Sequence, residues 1–402
     1  MTAATIGDTK FTIDWLRDVL RTDNNQVEVK GWNAKRIGQG VAFLSNLFKI
    51  KLTWTGPGSH QLPTNVILKI PTVGNLDEHN SDLPFDEEAV ENLKKSTPES
   101  FVGGLCAVHR NEIDSYHLFE GSDLNVPKMY FGRDFLPDSD QDGILVLADM
   151  NPDGSNFEIN MMDGINVDEA CQVAEELARV HAFSLALSAD WEQKFGENKE
   201  ENANFLVGEF VVMMKDLHRC IKFIKPELTG LIDRSQRFFT SAYAKQAIES
   251  HKPLGLPAVI VHGDLWTNNI IWRQEGARRK LVTILDWQMT RPGNCCEDLA
   301  RLLTTSMSCN QRRQNTNTIL RHYHQKLTEL CGGKEPFSFE SVLASYKAVL
   351  PFTMMFMTMG VPMWCKIPSL VEGPGKEKKV DEMYDRTRGF LEDFLDLYHV
   401  DD

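Results

Sequence analysis

The 402-residue sequence lacks an excess of positive charge. Asp and Glu total 57 against 43 Lys and Arg, which gives a formal net charge of −14. A general nucleic-acid-binding protein needs basic surface to meet phosphates. We therefore expect no nucleic-acid partner, whereas a cationic or neutral small-molecule substrate is compatible with this charge balance.

The sequence also lacks the paired cysteine spacings that are typical of zinc sites. Its eight cysteines are at positions 106, 171, 220, 295, 296, 309, 331 and 365. The first residues, MTAATIGDTKFTIDWL, contain no basic stretch followed by an apolar run, so no signal peptide is predicted. Together these observations predict free, mostly buried thiols and a cytoplasmic location.

One uncharged run is nearly long enough to span a membrane: AVLPFTMMFMTMGVPMWC, residues 348–365. It contains Pro351, Gly360 and Pro362, and methionine is its most frequent residue. These features favour a buried helix that ends near Gly360. We therefore predict no membrane partner.

The chain is too long for one ordinary hydrophobic core, and it contains no internal repeat or low-complexity tract. Its first part alternates apolar and polar residues between turns, as in NLFKIKLTW, which is typical of strands. In the second part, amphipathic patterns predict helices over residues 167–187, 209–224 and 234–250. The sequence thus predicts an α+β fold with a small antiparallel-sheet lobe, residues 1–148, and a larger, mainly helical lobe, residues 149–402.

Two polar motifs lie at the ends of apolar strands. HGDLWTNNIIW, residues 262–272, contains Asp264 and Asn269, and ILDWQ, residues 284–288, contains Asp286. The strands joined by the polar segment RQEGARRK are expected to pair as a hairpin and to bring these three side chains to the mouth of a cleft. Two carboxylates and an amide oxygen suit a hard cation such as Mg²⁺.

The spacing of these residues matches a catalytic loop of the form H-x-D-x-x-x-x-N followed by a metal-binding acid. In that template Asp264 orients an acceptor hydroxyl and takes its proton, while Asn269 and Asp286 hold a metal ion on nucleotide phosphates. The alternative is a buried polar hairpin in which asparagines form turns. Within the loop, we expect Asn268 to be a turn residue and His262 to hold the loop by hydrogen bonding.

Residues upstream of these motifs supply candidate nucleotide contacts. Lys69 is a lone cation in the apolar strand NVILKIP. Burying it requires a negative partner, either a nucleotide phosphate or Glu112 in the helix RNEIDSYHLF, where Asp114 is the rival acid. The alternatives are a strand-edge lysine with its charge in water and an exposed helical glutamate.

Two further positions bear on nucleotide binding. Gly38 and Gly40 in RIGQGVAF precede a strand, where glycine lets backbone N–H groups approach phosphates; an ordinary hairpin turn explains them equally well. Asp149 in LVLADM lies at the junction of the two lobes, where it either contacts ribose or caps the next helix.

The motifs HGDLWTNNIIW, ILDWQ and CCEDLARLL resemble the ecdysteroid-kinase-like and choline-kinase-like branch of the aminoglycoside phosphotransferase superfamily, especially its insect and nematode members. The resemblance extends from about residue 37 to about residue 395. It implies a protein-kinase-like two-lobe fold, ATP with Mg²⁺, and transfer to a small-molecule hydroxyl. Carried over by position, Lys69 meets the nucleotide phosphates and pairs with Glu112. Asp264 is then the catalytic base, and Asn269 and Asp286 are metal ligands.

The acceptor is expected to be a small molecule. Only MTRPGNC, residues 289–295, separates DWQ from CEDLARLL, which leaves no room for a segment that docks a peptide. Gly263 also replaces the arginine that reads a phosphorylated loop. The methionine-rich run suits a bulky apolar acceptor, such as a sterol or a conjugated xenobiotic. The alternatives are a non-catalytic ligand-binding protein with this fold and, less consistent with the short segment, a protein kinase.

Overall fold

The computed structural model describes residues 4–21, 26–38, 42, 44–72, 83–95, 98–137, 142–188, 191–194 and 208–400. Within these ranges, the N-terminal part contains one five-stranded antiparallel sheet with the spatial order β1-β2-β3-β5-β4. The strands are β1 (Glu28–Ile37), β2 (Ser45–Thr55), β3 (Asn65–Pro71), β4 (Met129–Arg133) and β5 (Ile144–Ala148).

The alternation along β2 explains how this sheet forms a core. Phe48, Ile50 and Leu52 are buried, whereas the lysines between them point to the other face. The buried face packs against helix α1 (Ile13–Leu20) in a hydrophobic cluster of the N-terminal lobe. The helix begins where Thr12 accepts a hydrogen bond from the Trp15 backbone N–H at 3.2 Å.

The described residues of the C-terminal part are mainly helical and include two small antiparallel sheets. Strands β6 (Asn156–Glu158), β8 (Ile270–Glu275) and β9 (Arg278–Ile284) form one sheet, and β7 (Val259–Val261) pairs with β10 (Arg291–Gly293). In the part of the chain that the structure describes, the α-helices after α1 are, in order, α2 (Glu87–Lys95), α3 (Pro98–Phe119), α4 (Val167–Ala186), α5 (Trp191–Lys194), α6 (Glu209–Ile224), α7 (Thr229–Ser235), α8 (Ser241–Ile248), α9 (Glu297–Ser306), α10 (Cys309–Leu330), α11 (Phe339–Trp364), α12 (Pro368–Val371) and α13 (Lys376–Leu397).

This architecture confirms the predicted α+β fold with a sheet-rich first lobe and a helical second lobe. The predicted hairpin is also confirmed, because β8 and β9 pair antiparallel with Ile270 opposite Ile284. The last strand of the N-terminal sheet ends at Ala148. The lobe boundary between residues 148 and 149 remains a prediction.

Two helix predictions are wrong in their boundaries. Residues 234–250 do not form one helix, because the chain turns through a 3₁₀ segment, Gln236–Phe238, and Thr240 caps a separate helix, α8. Helix α11 does not end near Gly360 and continues to Trp364. A Cβ at position 360 would lie 2.2 Å from the Trp364 ring, so this glycine makes room for an indole and does not terminate the helix.

Helix α11 is the one helix among the described residues that is long and apolar enough to cross a membrane. Within its most apolar window, 72% of the residues are buried inside the protein, and a core helix meets the same criterion. All eight cysteines are free. The prediction that most are buried is wrong, because only Cys220, Cys295 and Cys296 are buried and the other five are half-buried.

Helix α3 connects the two lobes through side-chain hydrogen bonds to the segment after β9. The Asn111 Nδ2 group donates to the carbonyls of Gln288 at 2.9 Å and Thr290 at 2.7 Å. Ser115 Oγ donates to the Trp287 carbonyl at 3.1 Å. Both side chains are buried, so they satisfy main-chain carbonyls that water does not reach.

We expect the Asn111→Ala substitution to lower the free energy of unfolding by about 2–3 kcal/mol, because it leaves two carbonyls without their donor. The measurement is urea unfolding monitored by circular dichroism. Asn315→Ala is the matched control, because Asn315 Nδ2 donates to the Gln311 carbonyl one turn earlier in the same helix. This substitution should lower the free energy of unfolding by only about 0.5 kcal/mol. Equal losses in the two variants would contradict the lobe-connecting role.

Candidate active site

A cavity of about 610 Å³ lies between the N-terminal sheet and the helical lobe. Its upper wall comes from β1, β2 and β3, and its lower wall comes from β8 and the segments that follow β7 and β9. Among the residues predicted for the site, those that line it are Gly38, Lys69, Glu112, Asp149, Asn269 and Asp286.

Lys69 is buried at the centre of a three-residue ion cluster. Its Nζ lies 2.7 Å from Glu112 Oε2 and also contacts Asp286 Oδ1. Burial disfavours the ammonium, but the charges of Asp286 and Glu112 outweigh burial and raise the pKa of Lys69. Lys69 is therefore not a strand-edge lysine with its charge in water.

Glu112 faces the cavity from α3, and its side chain is only 1% exposed. Burial raises the pKa of the Glu112 carboxyl against the lowering effect of Lys69. Tyr116, one turn further along α3, lines the same cavity. The acid that pairs with Lys69 is thus Glu112 and not its neighbour Asp114, and it is not an exposed helical residue.

Asp286 adopts a left-handed backbone conformation, with φ 64° and ψ 61°, between β9 and the 3₁₀ segment Trp287–Met289. This conformation is costly for a residue other than glycine and persists where neighbours hold it. The buried Trp287 holds it here, since its indole N–H donates to the Ile284 carbonyl at 3.1 Å. The Asp286 side chain remains 28% exposed towards the cavity.

Asn269 lines the same cavity as Asp286 and is fixed by two hydrogen bonds. Its Nδ2 donates to the Asp264 carbonyl at 2.9 Å, and its own carbonyl accepts from the Leu285 N–H at 2.7 Å. An amide oxygen and a carboxylate form a donor set for a hard cation. The described residues contain no group of three His, Cys, Asp or Glu side chains that forms a metal site by itself. A cation here therefore needs further oxygens from phosphate or water.

Asp264 lies beside the cavity and does not line its wall. Its carboxylate is paired with the guanidinium of Arg301 on α9, and its side chain is 22% exposed. Burial raises the pKa of Asp264 to about 6, with Arg301 and Lys69 acting against burial and Asp286 adding to it. The three residues predicted to be catalytic thus lie close together, but only Asn269 and Asp286 face the main cavity.

His262 holds the loop together, in agreement with the sequence interpretation. Its Nε2 donates to the Leu285 carbonyl at 2.7 Å, and its Nδ1 accepts from the Asp264 N–H at 3.1 Å. One neutral tautomer makes both bonds. Burial lowers the pKa of His262 to about 4, so the ring stays neutral at physiological pH.

Helix α9 supports the same loop with two residues that the sequence interpretation missed. Asp298 is buried and accepts from the backbone N–H groups of His262 at 2.7 Å and Gly263 at 2.9 Å. Arg301, one turn later, binds the next residue, Asp264. The signal was available: an acid and an arginine three residues apart in CCEDLARLL share one helix face.

The remaining predicted nucleotide contacts have mixed outcomes. Gly38 lines the cavity with a positive φ of 68°, whereas Gly40 lies outside the described residues. Asp149 does not cap the next helix, α4, because Asn166 does so. Its Oδ1 accepts from the Asn151 N–H at 2.9 Å, and its Oδ2 lies 3.0 Å from Lys49 Nζ. Both oxygens of Asp149 therefore already have protein partners.

Comparison with known proteins gives the family. The family model "DUF1679: Uncharacterized oxidoreductase dhs-27" matches residues 14–401. "Uncharacterized oxidoreductase dhs-27" of Caenorhabditis elegans is 25% identical over 80% of this chain, and the chain spans only 38% of that protein. "Uncharacterized kinase-like protein D1044.1" of the same organism is 25% identical over 89% of this chain and 92% of its own length.

Among solved structures, choline kinase from Cryptosporidium parvum Iowa II is similar in fold, with a TM-score of 0.50 and 12% identity over 92% of this chain and 90% of that one. The fold is therefore the protein-kinase-like two-lobe fold. The chain belongs to the DUF1679 family. The resemblance stated from the sequence motifs is thus confirmed.

We expect Gly263→Ala to lower the free energy of unfolding by more than about 3 kcal/mol. Gly263 has a φ of 80°, and a Cβ there would lie 2.5 Å from the Met289 carbonyl oxygen. Gly276→Ala is the matched control, because its φ is 61° but nothing lies within 4 Å of the added carbon. It should cost only about 1 kcal/mol in the same urea titration. A similar cost in both variants would show that the close contact with Met289 is not the constraint.

Proposed function

We propose that this protein is an ATP- and Mg²⁺-dependent phosphotransferase that transfers the γ-phosphate to a hydroxyl group of a small molecule. The observation that carries the proposal is the meeting of Lys69, Glu112 and Asp286 in one buried ion cluster at the wall of the interlobe cavity. Asn269 completes the oxygen donors beside it. A buried cation held between two carboxylates suits a site that receives phosphate and metal together.

The N-terminal lobe, residues 1–148, is proposed to bind the nucleotide. Lys69 would contact the phosphates while Glu112 keeps its side chain in place, and the backbone at Gly38 would approach the phosphates from above. Gly40 and Asp149 stay weaker candidates, because Gly40 is not described and Asp149 already binds Lys49 and Asn151.

Asn269 and Asp286 would hold the metal. Their amide and carboxylate oxygens are of the kind that Mg²⁺ prefers, and only two of them come from the protein, which leaves room for phosphate oxygens. Bound there, Mg²⁺ would neutralise charge on the transferred phosphoryl group. The proposal does not require any further protein ligand.

Asp264 would act on the acceptor. In the transfer, the acceptor oxygen forms a bond to the γ-phosphorus as the bond to the β-γ bridging oxygen breaks, and the hydroxyl proton passes to the Asp264 carboxylate. The position of Asp264 beside the cavity, bonded through its carbonyl to Asn269, is compatible with an acceptor that approaches from the helical lobe. The helical lobe, residues 149–402, would then bind the acceptor.

A small acceptor is favoured by the connection between Asp286 and α9. Residues 287–296 are occupied by a 3₁₀ turn and by β10, which pairs with β7. This connection offers no segment on which a peptide docks. A sterol-like or conjugated lipophilic acceptor rests on the sequence alone, because the α11 methionines do not line the described cavity.

Two other readings carry less weight. The name of the longer relative includes "oxidoreductase", but the shared region is 38% of that protein, and the activity of the whole does not transfer to this chain. A non-catalytic protein with this fold would not need a buried lysine held by two acids. The free thiols are compatible with the cytoplasmic location that forms part of the proposal.

The test is incubation with ATP labelled at the γ-phosphate, Mg²⁺ and a panel of sterols, glucosides and amino alcohols, with products identified by mass spectrometry. We expect transfer to at least one acceptor. Asp264→Asn should lower the rate by about a hundred- to ten-thousand-fold, since it removes the base. Asp123→Asn is the matched control at an exposed acid and should leave the rate unchanged. Absence of transfer to every acceptor, or an unchanged rate in Asp264→Asn, would overturn the proposal.

A further inference from the structure

Arg301 makes three contacts around the catalytic-loop candidate Asp264. One terminal nitrogen, Nη1, donates to the Gly263 carbonyl at 3.1 Å, and the other, Nη2, donates to Asp264 Oδ1. The guanidinium carbon lies 3.8 Å from the centre of the Phe356 ring on α11. The planar group is thus fixed on one face by an aromatic ring and at its fork by two consecutive residues of the loop.

Burying the charged side chain of Arg301 carries a penalty in desolvation free energy. Arg301 is 7% exposed and sits on a helix whose residues are all buried. An apolar side chain of similar volume at such a position is often neutral or stabilising, so stability alone gives little reason for a cation here. An apolar side chain lacks the two N–H donors of the guanidinium, which bind the Gly263 carbonyl and Asp264 Oδ1 and so fix the direction of the Asp264 carboxylate.

We propose that Arg301 is a positioning residue. It holds Asp264 Oδ1 so that the other carboxylate oxygen, Oδ2, accepts a hydrogen bond from the hydroxyl group of the small-molecule substrate. This inference rests on the proposed phosphotransferase function and deepens it. Gly263, whose carbonyl Arg301 also binds, keeps the loop close to the fork. Because Arg301 acts through Asp264 and lies away from the lining of the nucleotide cavity, its removal should affect turnover and not nucleotide affinity.

The experiment is a double-mutant cycle between Arg301 and Asp264, measured as kcat at saturating MgATP with the acceptor identified by the panel. Arg301→Met removes the fork but keeps a side chain that packs on Phe356. We expect kcat to fall by about ten- to a hundred-fold, with the KM for MgATP changed by less than about two-fold. Arg301→Lys keeps the charge without the fork and should recover part of the loss.

The cycle separates positioning from a merely structural role. In the Asp264→Asn background, where no base remains to be oriented, Arg301→Met should lower kcat by less than about two-fold. An equal loss in both backgrounds, or a parallel rise in the KM for MgATP, would overturn the positioning role while leaving the phosphotransferase function intact. If the unmodified protein transfers phosphate to no acceptor, the function itself fails, and the positioning role fails with it.

Arg386→Met is the matched control. Arg386 is equally buried, on α13, and donates to the carbonyls of Met161 at 2.7 Å, Met162 at 3.1 Å and Thr305 at 3.1 Å. It touches no residue of the proposed catalytic loop. Its removal should lower the melting temperature with kcat per folded molecule unchanged, whereas a fall in kcat as large as that of Arg301→Met would overturn the proposed role of Arg301.

Discussion

The ion cluster of Lys69, Glu112 and Asp286 is the interaction on which the rest of the site depends. A lysine ammonium inside an apolar strand is tolerated only because two carboxylates from different parts of the chain reach it. The two carboxylates belong to different elements of the fold, which are bonded to each other. Glu112 is carried by α3, whose Asn111 and Ser115 bind the segment after β9, and Asp286 is fixed by the fold of that same segment. The cluster therefore joins sheet, helix and loop at one point between the lobes.

Helix α9 holds the loop that contains Asp264 in place. Asp298 binds the backbone at His262 and Gly263, and Arg301 binds Asp264. His262 then connects this loop to the end of β9 through the Leu285 carbonyl. The polar residues in the middle of this apolar run are thus not turn formers alone, because the side chains of His262, Asp264 and Asn269 each have a defined partner. Catalysis of phosphoryl transfer depends mainly on the positioning of the reacting groups, and buried, paired side chains are suited to hold such positions.

The sequence predicted these features unequally, for physical reasons. Lys69 was found because a charge in an apolar strand requires a partner, and the Asp264-to-Asn269 spacing was found because it is a local pattern. The spacing of Asp298 and Arg301 indicates a shared helix face, but it does not indicate that this face contacts a loop 35 or more residues earlier in the chain, and the two residues were missed for that reason. The predicted end of α11 is wrong because glycine often ends a helix. Here Gly360 stays inside the helix, since the Trp364 ring occupies the space that a side chain at position 360 would need. Local rules predicted elements, and tertiary packing decided where they end.

The most direct test of the central claim is calorimetric titration of ATP into the protein with and without Mg²⁺, for the unmodified chain and for Asp286→Asn. If Asp286 and Asn269 share a metal with the nucleotide, Mg²⁺ should strengthen ATP binding by at least about tenfold in the unmodified protein and by much less in the variant. ATP binding that does not respond to Mg²⁺, or that responds equally in both proteins, would contradict the assignment of this cavity as a metal–nucleotide site.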